Sequence, residues 1–237
     1  MKNLLHGDFG VSLKTGRDIR QTINESFVVS ARIGAWAMLI AIIVGIVLGS
    51  IAALMRNKWP DRVIVFFATL ATAMPSFVLA SLLLLLFCIK LKWIPVWNST
   101  NHNYILPVLS LSLYPMAYIT RLTKTSMLDV LGQDYIRTAR AKGVAGWKVI
   151  FKHALRNALI PVVTLVAGSL VGLFGGAAIT ESIFAWNGIG YVLIQALNTR
   201  DYMVVLTMNI FYAVLSLSAN IIMDIGYAIV DPRVKLK

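Results

Sequence analysis

Asp134 to Pro161 reads DYIRTARAKGVAGWKVIFKHALRNALIP, a basic stretch set between two apolar ones. Leu128 to Lys142 can form a helix. Gly143 stops it in a left-handed cap, with Arg140 and Lys142 favourably placed against the helix C-terminus. A second helix starts near Gly146. Its Trp147, Ile150, Phe151, Ala154 and Leu155 recur at i, i+3, i+4, i+7 and i+8, one apolar stripe, and Lys148, Lys152 and Arg156 take the opposite face. The stretch therefore predicts helix, glycine turn, helix. Periodicity alone leaves two readings open: an amphipathic helix that anchors to anionic lipid, or a docking element for a partner.

The surroundings decide what kind of chain carries it. Of 237 residues, 58% are hydrophobic and only 14% charged, with a mean hydropathy of +0.77. A soluble domain carries about 25% charged residues. Several apolar runs approach the roughly 20 residues that cross a bilayer, so the chain reads as an all-α polytopic membrane protein. The net charge of +12 is explained better by loops that hold topology than by nucleic acid, because the charges lie between spans. Cys88 is the only cysteine and has no internal disulfide partner.

About five spans are expected. Residues 1–27 are polar and lack the apolar core of a signal peptide. Span one covers Ala31 to Leu54, and its Gly45 and Gly49 stand at i, i+4, which allows another helix close. Span two, Val63 to Ile89, is kinked by Pro75. Trp93, Trp97 and Tyr104 mark a membrane interface. Span three, Tyr104 to Ile119, holds Pro107 and Pro115 and can extend through Arg121–Leu128. Span four, Ala158 to Ile179, carries Gly168, Gly172, Gly175 and Gly176. Span five runs from Met203 to Val230.

Charge sets the orientation. Between Thr120 and Asn157 stand Arg121, Lys124, Arg137, Arg140, Lys142, Lys148, Lys152 and Arg156, which makes that loop cytoplasmic. Alternation puts Met55–Arg62 and the tail 231–237 on the same side. Residues 1–30 then fall outside despite Lys2, Lys14, Arg17 and Arg20. A span preceding Met1 would account for that, so the chain is expected to begin late.

DYIRTARAKGV followed by HALRNALIPVVT resembles the coupling-loop signature of ABC-importer permeases, and more narrowly of their dipeptide/oligopeptide/nickel branch. In the general signature (Glu-Ala-Ala, three residues, Gly), Ala139 matches the second alanine and Gly143 the glycine. Arg137 and Thr138 replace the Glu and the first Ala, and Pro161 comes late. GDFGVSL (Gly7–Leu13), MPSF (Met74–Phe77), ESIFAWNGIGYVLIQALNTRDY (Glu181–Tyr202) and MDIGYAIVDPRVK (Met223–Lys235) resemble the same family in order, with Asn187 where proline is usual. The resemblance implies the transmembrane-domain fold of a type I importer, with a permease domain over 31–230 and a coupling loop over 120–157.

It also implies a mechanism. No G-x-x-x-x-G-K-[ST] phosphate loop is present, so no cofactor is expected in this chain and ATP is bound by partner subunits. Those partners are two cytoplasmic ABC ATPase subunits, a second homologous permease, an extracellular substrate-binding protein and membrane lipid, with no nucleic acid. The location implied is a bacterial or archaeal plasma membrane. ATP-driven closure would move the 128–157 element as a lever: Gly143 supplies its turn, Trp147 and Phe151 its anchors in an ATPase groove, Ala139 the signature match, and Arg137, Arg140 and Lys142 polar contacts.

Thr69, Thr72, Ser76, Asn209, Ser216 and Asn220, beside Pro75, are candidate pathway or gate groups, or else ordinary helix–helix hydrogen-bond formers. Asp224 either touches substrate or pairs with a nearby cation. Glu181 either faces a vestibule or is simply solvated. His6, His102 and His153 lack metal-ligand spacing, which favours peptide over nickel. A self-sufficient secondary transporter or channel would show an inverted repeat or mid-membrane charges, and neither is seen. A surface scaffold would not need kinked, glycine-rich spans.

Overall fold

The computed structural model describes residues 9–96, 103–174 and 177–230, and their regular structure is helix, apart from an isolated bridge between Val11 and Asp18. Gly7, Asp8, Trp97, His6, His102, Gly175, Gly176 and the tail 231–237 lie outside the described residues, as does the side chain of Asp224.

Helix α1 runs Ile19–Leu54, 36 residues or about 54 Å at 1.5 Å per residue, well beyond the roughly 30 Å of bilayer hydrocarbon. Asp18 caps it: its Oδ1 accepts the Gln21 N–H at 3.1 Å. The helix starts before the expected Ala31 because Ile19 and Ile23 are buried against Ile189, Ala196, Val204 and Met208, partners that helical periodicity cannot reveal.

Helix α2, Trp59–Ala73, has Pro60 in its first turn, where the missing N–H costs nothing. The expected single kinked span breaks into two helices. Met74 is extended (φ −94°, ψ 136°), since the Pro75 ring disfavours helical geometry at the preceding residue. Helix α3, Ser76–Leu83, follows and continues as a π-wound stretch, Leu84–Lys90.

Helix α4, Ile105–Leu131, is one 27-residue helix with Pro115 inside it, so the short third span does extend through Arg121–Leu128. The expected Leu128–Lys142 helix is divided. The chain leaves α4 at Gly132, Gln133 is extended (φ −74°, ψ 150°), and α5 occupies Asp134–Ala141. Helix α6, Gly146–Ala158, is π-wound over Val149–Leu155 and meets α7, Ile160–Phe174, at a 44° bend. Helices α8 (Ala178–Phe184), α9 (Ile189–Asn198) and α10 (Tyr202–Val230) complete the chain. The fourth expected span thus ends earlier, at Phe174, with α8 a separate helix. Among the described residues three helices are long and apolar enough to cross a membrane, or five spans if each of two broken pairs counts as one.

The chain forms two compact units. One joins residues 1–37, 76–111 and 170–237; its core is Ile19, Ile23, Ile189, Ala196, Val204 and Met208, with the Phe27 ring edge-on to Phe211 at 5.4 Å. The other joins 38–75 and 112–169 around Ala53, Met127, Ile136, Val149, Ala154 and Ala158. In this second unit Gly45 and Gly49 let α1 meet α4 at backbone distance. A Cβ on Gly45 would lie 2.8 Å from Ile119 Cγ2, and one on Gly49 would lie 2.5 Å from the Thr120 carbonyl oxygen. The i, i+4 glycine pair is used as its spacing predicts.

Candidate functional site

The basic element of the second unit is built on its glycine. Gly143 has φ +74°. Its N–H donates to the Arg140 carbonyl at 3.0 Å, and the Val144 N–H donates to the Ala139 carbonyl at 3.2 Å. Those two bonds are a Schellman cap, and Val144 and Ala139 each pack against the core. Across the turn, Asn157 Nδ2 donates to the Tyr135 hydroxyl at 3.0 Å, fastening α6 to α5.

Helix α6 departs from the expected stripe. In π winding the i→i+5 hydrogen bond widens the turn, so the buried positions move off an α-helical stripe. Val149, Ala154 and Ala158 are the fully buried residues, and Ile150 and Leu155 are half-buried. Trp147 and Phe151 turn outward and are each 63% exposed. Lys148, expected on the far side, places its Nζ 5.5 Å from the Trp147 ring centroid, while Lys152 and Arg156 are exposed as expected.

The remaining predicted contacts precede this aromatic pair in sequence. Arg137, Arg140, Lys142 and Gly143 are exposed and Ala139 is half-buried. The Arg137–Asp134 ion pair at 3.5 Å is fully open to solvent and adds little to stability. The element has two faces: Ile136, Val149 and Ala154 pack it against Ala53 of α1 and Met127 of α4, while Trp147, Phe151, Arg137, Arg140 and Lys142 are exposed.

Two of the predicted pathway groups bond locally. Thr72 Oγ1 donates to the carbonyls of Ala68 (3.1 Å) and Thr69 (3.0 Å), and Asn209 Nδ2 donates to that of Val205 (2.8 Å). Both thus bond within their own helix, the α-helical alternative to bonding between helices. Ser76 opens α3 after the exposed Pro75, and Ser216 and Asn220 are exposed along α10. Among the described residues no group of three or more His, Cys, Asp or Glu could hold a metal ion.

Glu181 differs from both expected settings: it is neither solvated nor open, with 1% of its surface exposed. Ser30 Oγ of α1 donates to Glu181 Oε1 at 2.7 Å, and the Tyr191 N–H donates to Oε2 at 2.8 Å; the Ile189 N–H in turn donates to Ser30 Oγ at 2.9 Å. The carboxylate and the hydroxyl thus cap the N-terminus of α9, whose first N–H groups have no helical partner and whose dipole favours negative charge. A Cβ on Gly188 would overlap both the Glu181 carboxylate and Ser30 Oγ, which explains a glycine there. Sequence reasoning found Glu181 but missed Ser30, an ordinary helix serine until α9 arrives beside it.

Glu181→Ala is expected to lower the thermal unfolding temperature in detergent, at about 1–3 kcal/mol for each buried polar group left unpaired. Glu181→Gln keeps an accepting oxygen and is expected to lose less. Equal stability of the Ala variant and the parent would show that the capping network is not needed.

Similarity to known proteins agrees with this architecture. Residues 45–236 match the family model described as "Binding-protein-dependent transport system inner membrane component". The chain is 42% identical over its whole length to the dipeptide transport system permease protein DppB of Bacillus subtilis (strain 168), covering 77% of that protein. It is 40% identical to the oligopeptide transport system permease protein OppB of Haemophilus influenzae, over 99% of this chain and 78% of that one. The crystal structure of an amino acid ABC transporter with histidines shares the fold, with a TM-score of 0.68 at 14% identity, over 87% of this chain and 92% of that one. Broken apolar spans around a glycine-turned basic element are therefore the fold of an importer's membrane subunit, and this chain belongs to the family of binding-protein-dependent transport system inner membrane components.

Proposed function

We propose that the chain forms part of the translocation pathway of an ATP-driven importer of di- and oligopeptides, and that ATPase subunits drive it through α5, Gly143 and α6. The observation that carries the coupling reading is the exposure of Trp147 and Phe151 on an element whose opposite face is fixed in the core. Large aromatics held open on a rigid support are the anchors that protein interfaces use. Arg137, Arg140 and Lys142 add charge around them and steer association. The dipeptide and oligopeptide systems of the two relatives support the substrate class.

In this reading the 120–157 loop and the C-terminal tail face the cytoplasm, as the lysines and arginines require. Two ATPase subunits bind the ATP, a second homologous permease completes the pathway, and an extracellular binding protein delivers the peptide. The work enters as a difference in ATPase affinity for two states of the permease, not as chemistry in this chain.

Reconstitution tests it. In proteoliposomes a labelled dipeptide is expected to accumulate only when ATPase subunits, partner permease, binding protein and ATP are all present. Uphill uptake by this chain alone, or Ni²⁺ uptake that excess dipeptide does not reduce, would overturn the reading.

A further inference from the structure

In the second unit a buried ion pair stands apart from the coupling surface. Lys124 of α4 reaches Asp61 in the first turn of α2, with Nζ 2.5 Å from Oδ1; 21% of the lysine side chain and 7% of the aspartate side chain are exposed. Asp61 Oδ2 also accepts the Asn57 N–H at 3.0 Å. Asn57 is in the left-handed region (φ 66°), and the Lys58 N–H donates to the Met55 carbonyl at 2.9 Å. One carboxylate therefore holds the α1–α2 turn and grips α4 together.

Two further features show what that grip adds. The α1–α4 contact is already made through Gly45 and Gly49, so it does not require the ion pair. Helix α2, by contrast, has only Asp61 and Ala68 buried along Trp59–Ala73, while Trp59, Val63, Phe66, Phe67 and Leu70 are exposed. Asp61 is thus the polar one of the two fully buried residues of α2. On α4, Lys124 stands one turn before Met127, which packs in the core with Ile136 of α5 and Val149 of α6. One stretch of α4 therefore carries both the partner of Asp61, Lys124, and the residue packed with the basic element, Met127. A well-packed apolar pair is often as stable as a buried ion pair. What the charges add is a defined register between two helix surfaces.

We propose that Asp61 and Lys124 are positioning residues that clamp the start of α2 to α4, so that displacement of α5 and α6 by an ATPase carries α2 with it. The inference rests on the coupling role of Trp147 and Phe151 proposed above. Without the clamp, the basic element still docks and ATP is still hydrolysed, but the movement no longer reaches α2.

The test uses the assembled importer in proteoliposomes and measures dipeptide taken up per ATP hydrolysed. Lys124→Met and Asp61→Asn are expected to keep ATP hydrolysis and to lower that ratio about tenfold or more, the scale of typical coupling free energies. Lys124→Arg, which keeps a cation at Asp61, is expected to keep the ratio. A chain carrying Asp61→Cys, Lys124→Cys and Cys88→Ser is expected to be uncoupled until a short bis-methanethiosulfonate joins the two sites, forming a disulfide with each cysteine and releasing methanesulfinate, and to recover afterwards.

An unchanged ratio in the single variants, or no recovery on cross-linking, overturns the clamp. Failure of the variants to assemble assigns the pair to folding and overturns it as well. Trp147→Asp in the same assay separates the two ideas. If it leaves uptake intact, the coupling surface itself is wrong; if it ends uptake while the Lys124 variants keep their ratio, only the clamp fails.

Discussion

Trp147→Asp is expected to end dipeptide uptake and to strip the ATPase subunits from the complex purified in mild detergent, while the chain still inserts and folds. Trp147 and Phe151 are each 63% exposed and lie outside the buried cluster of Val149, Ala154 and Ala158. Substitution therefore leaves the core intact, and folding stability is expected to stay within about 0.5 kcal/mol. At the partner's surface the effect is opposite. Truncating an aromatic anchor typically costs about 2–4 kcal/mol of binding, roughly 30- to 1000-fold in affinity, and a carboxylate in its place adds desolvation. Phe151→Asp should act in the same direction; the two together should fall short of additive, because the side chains stand one turn apart. Co-purification at parental stoichiometry in the Trp147→Asp, Phe151→Asp chain would place the coupling surface elsewhere.

Gly143→Pro is the second large effect. Proline cannot reach φ +74° and has no N–H to donate to the Arg140 carbonyl. The Schellman cap is lost, and α5 and α6 no longer meet at the angle that lets Asn157 reach Tyr135. Uptake should disappear while insertion persists. Smaller substitutions grade the effect. Nothing lies within 4 Å of a Cβ built on Gly143, so only the backbone resists a side chain. Alanine is expected to cost about 1–2 kcal/mol in the left-handed region, and asparagine less, since it visits that region readily. Uptake should therefore follow the order Gly, Asn, Ala, Pro. Full activity in Gly143→Pro would show that the turn geometry does not transmit the movement.

Some features were legible in the residues because they depend on neighbours within one or two helical turns. The apolar runs placed the long helices. Gly143 after a basic helix end placed the left-handed cap, and Gly45 with Gly49 announced a close helix contact, though not its partner, Ile119 to Thr123. The α6 face was misread for an equally local reason. An i, i+3, i+4 stripe assumes 3.6 residues per turn, and the wider π winding over Val149–Leu155 moves the buried positions to Val149, Ala154 and Ala158. The kink at Pro75 was foreseen, but its extent, a full break at Met74, was not.

From its order of residues alone the chain already determined that it is helical, apolar enough for a bilayer, and furnished with a basic element hinged at Gly143. Burial of Ile19 and Ile23 at the start of α1, the Ser30–Glu181 cap across 151 positions and the grip of Lys124 on Asp61 were decided only by tertiary structure. The physical reason is range. Helix propensity and periodicity act over a few residues, whereas a buried carboxylate takes its role from whichever donor the fold delivers to it.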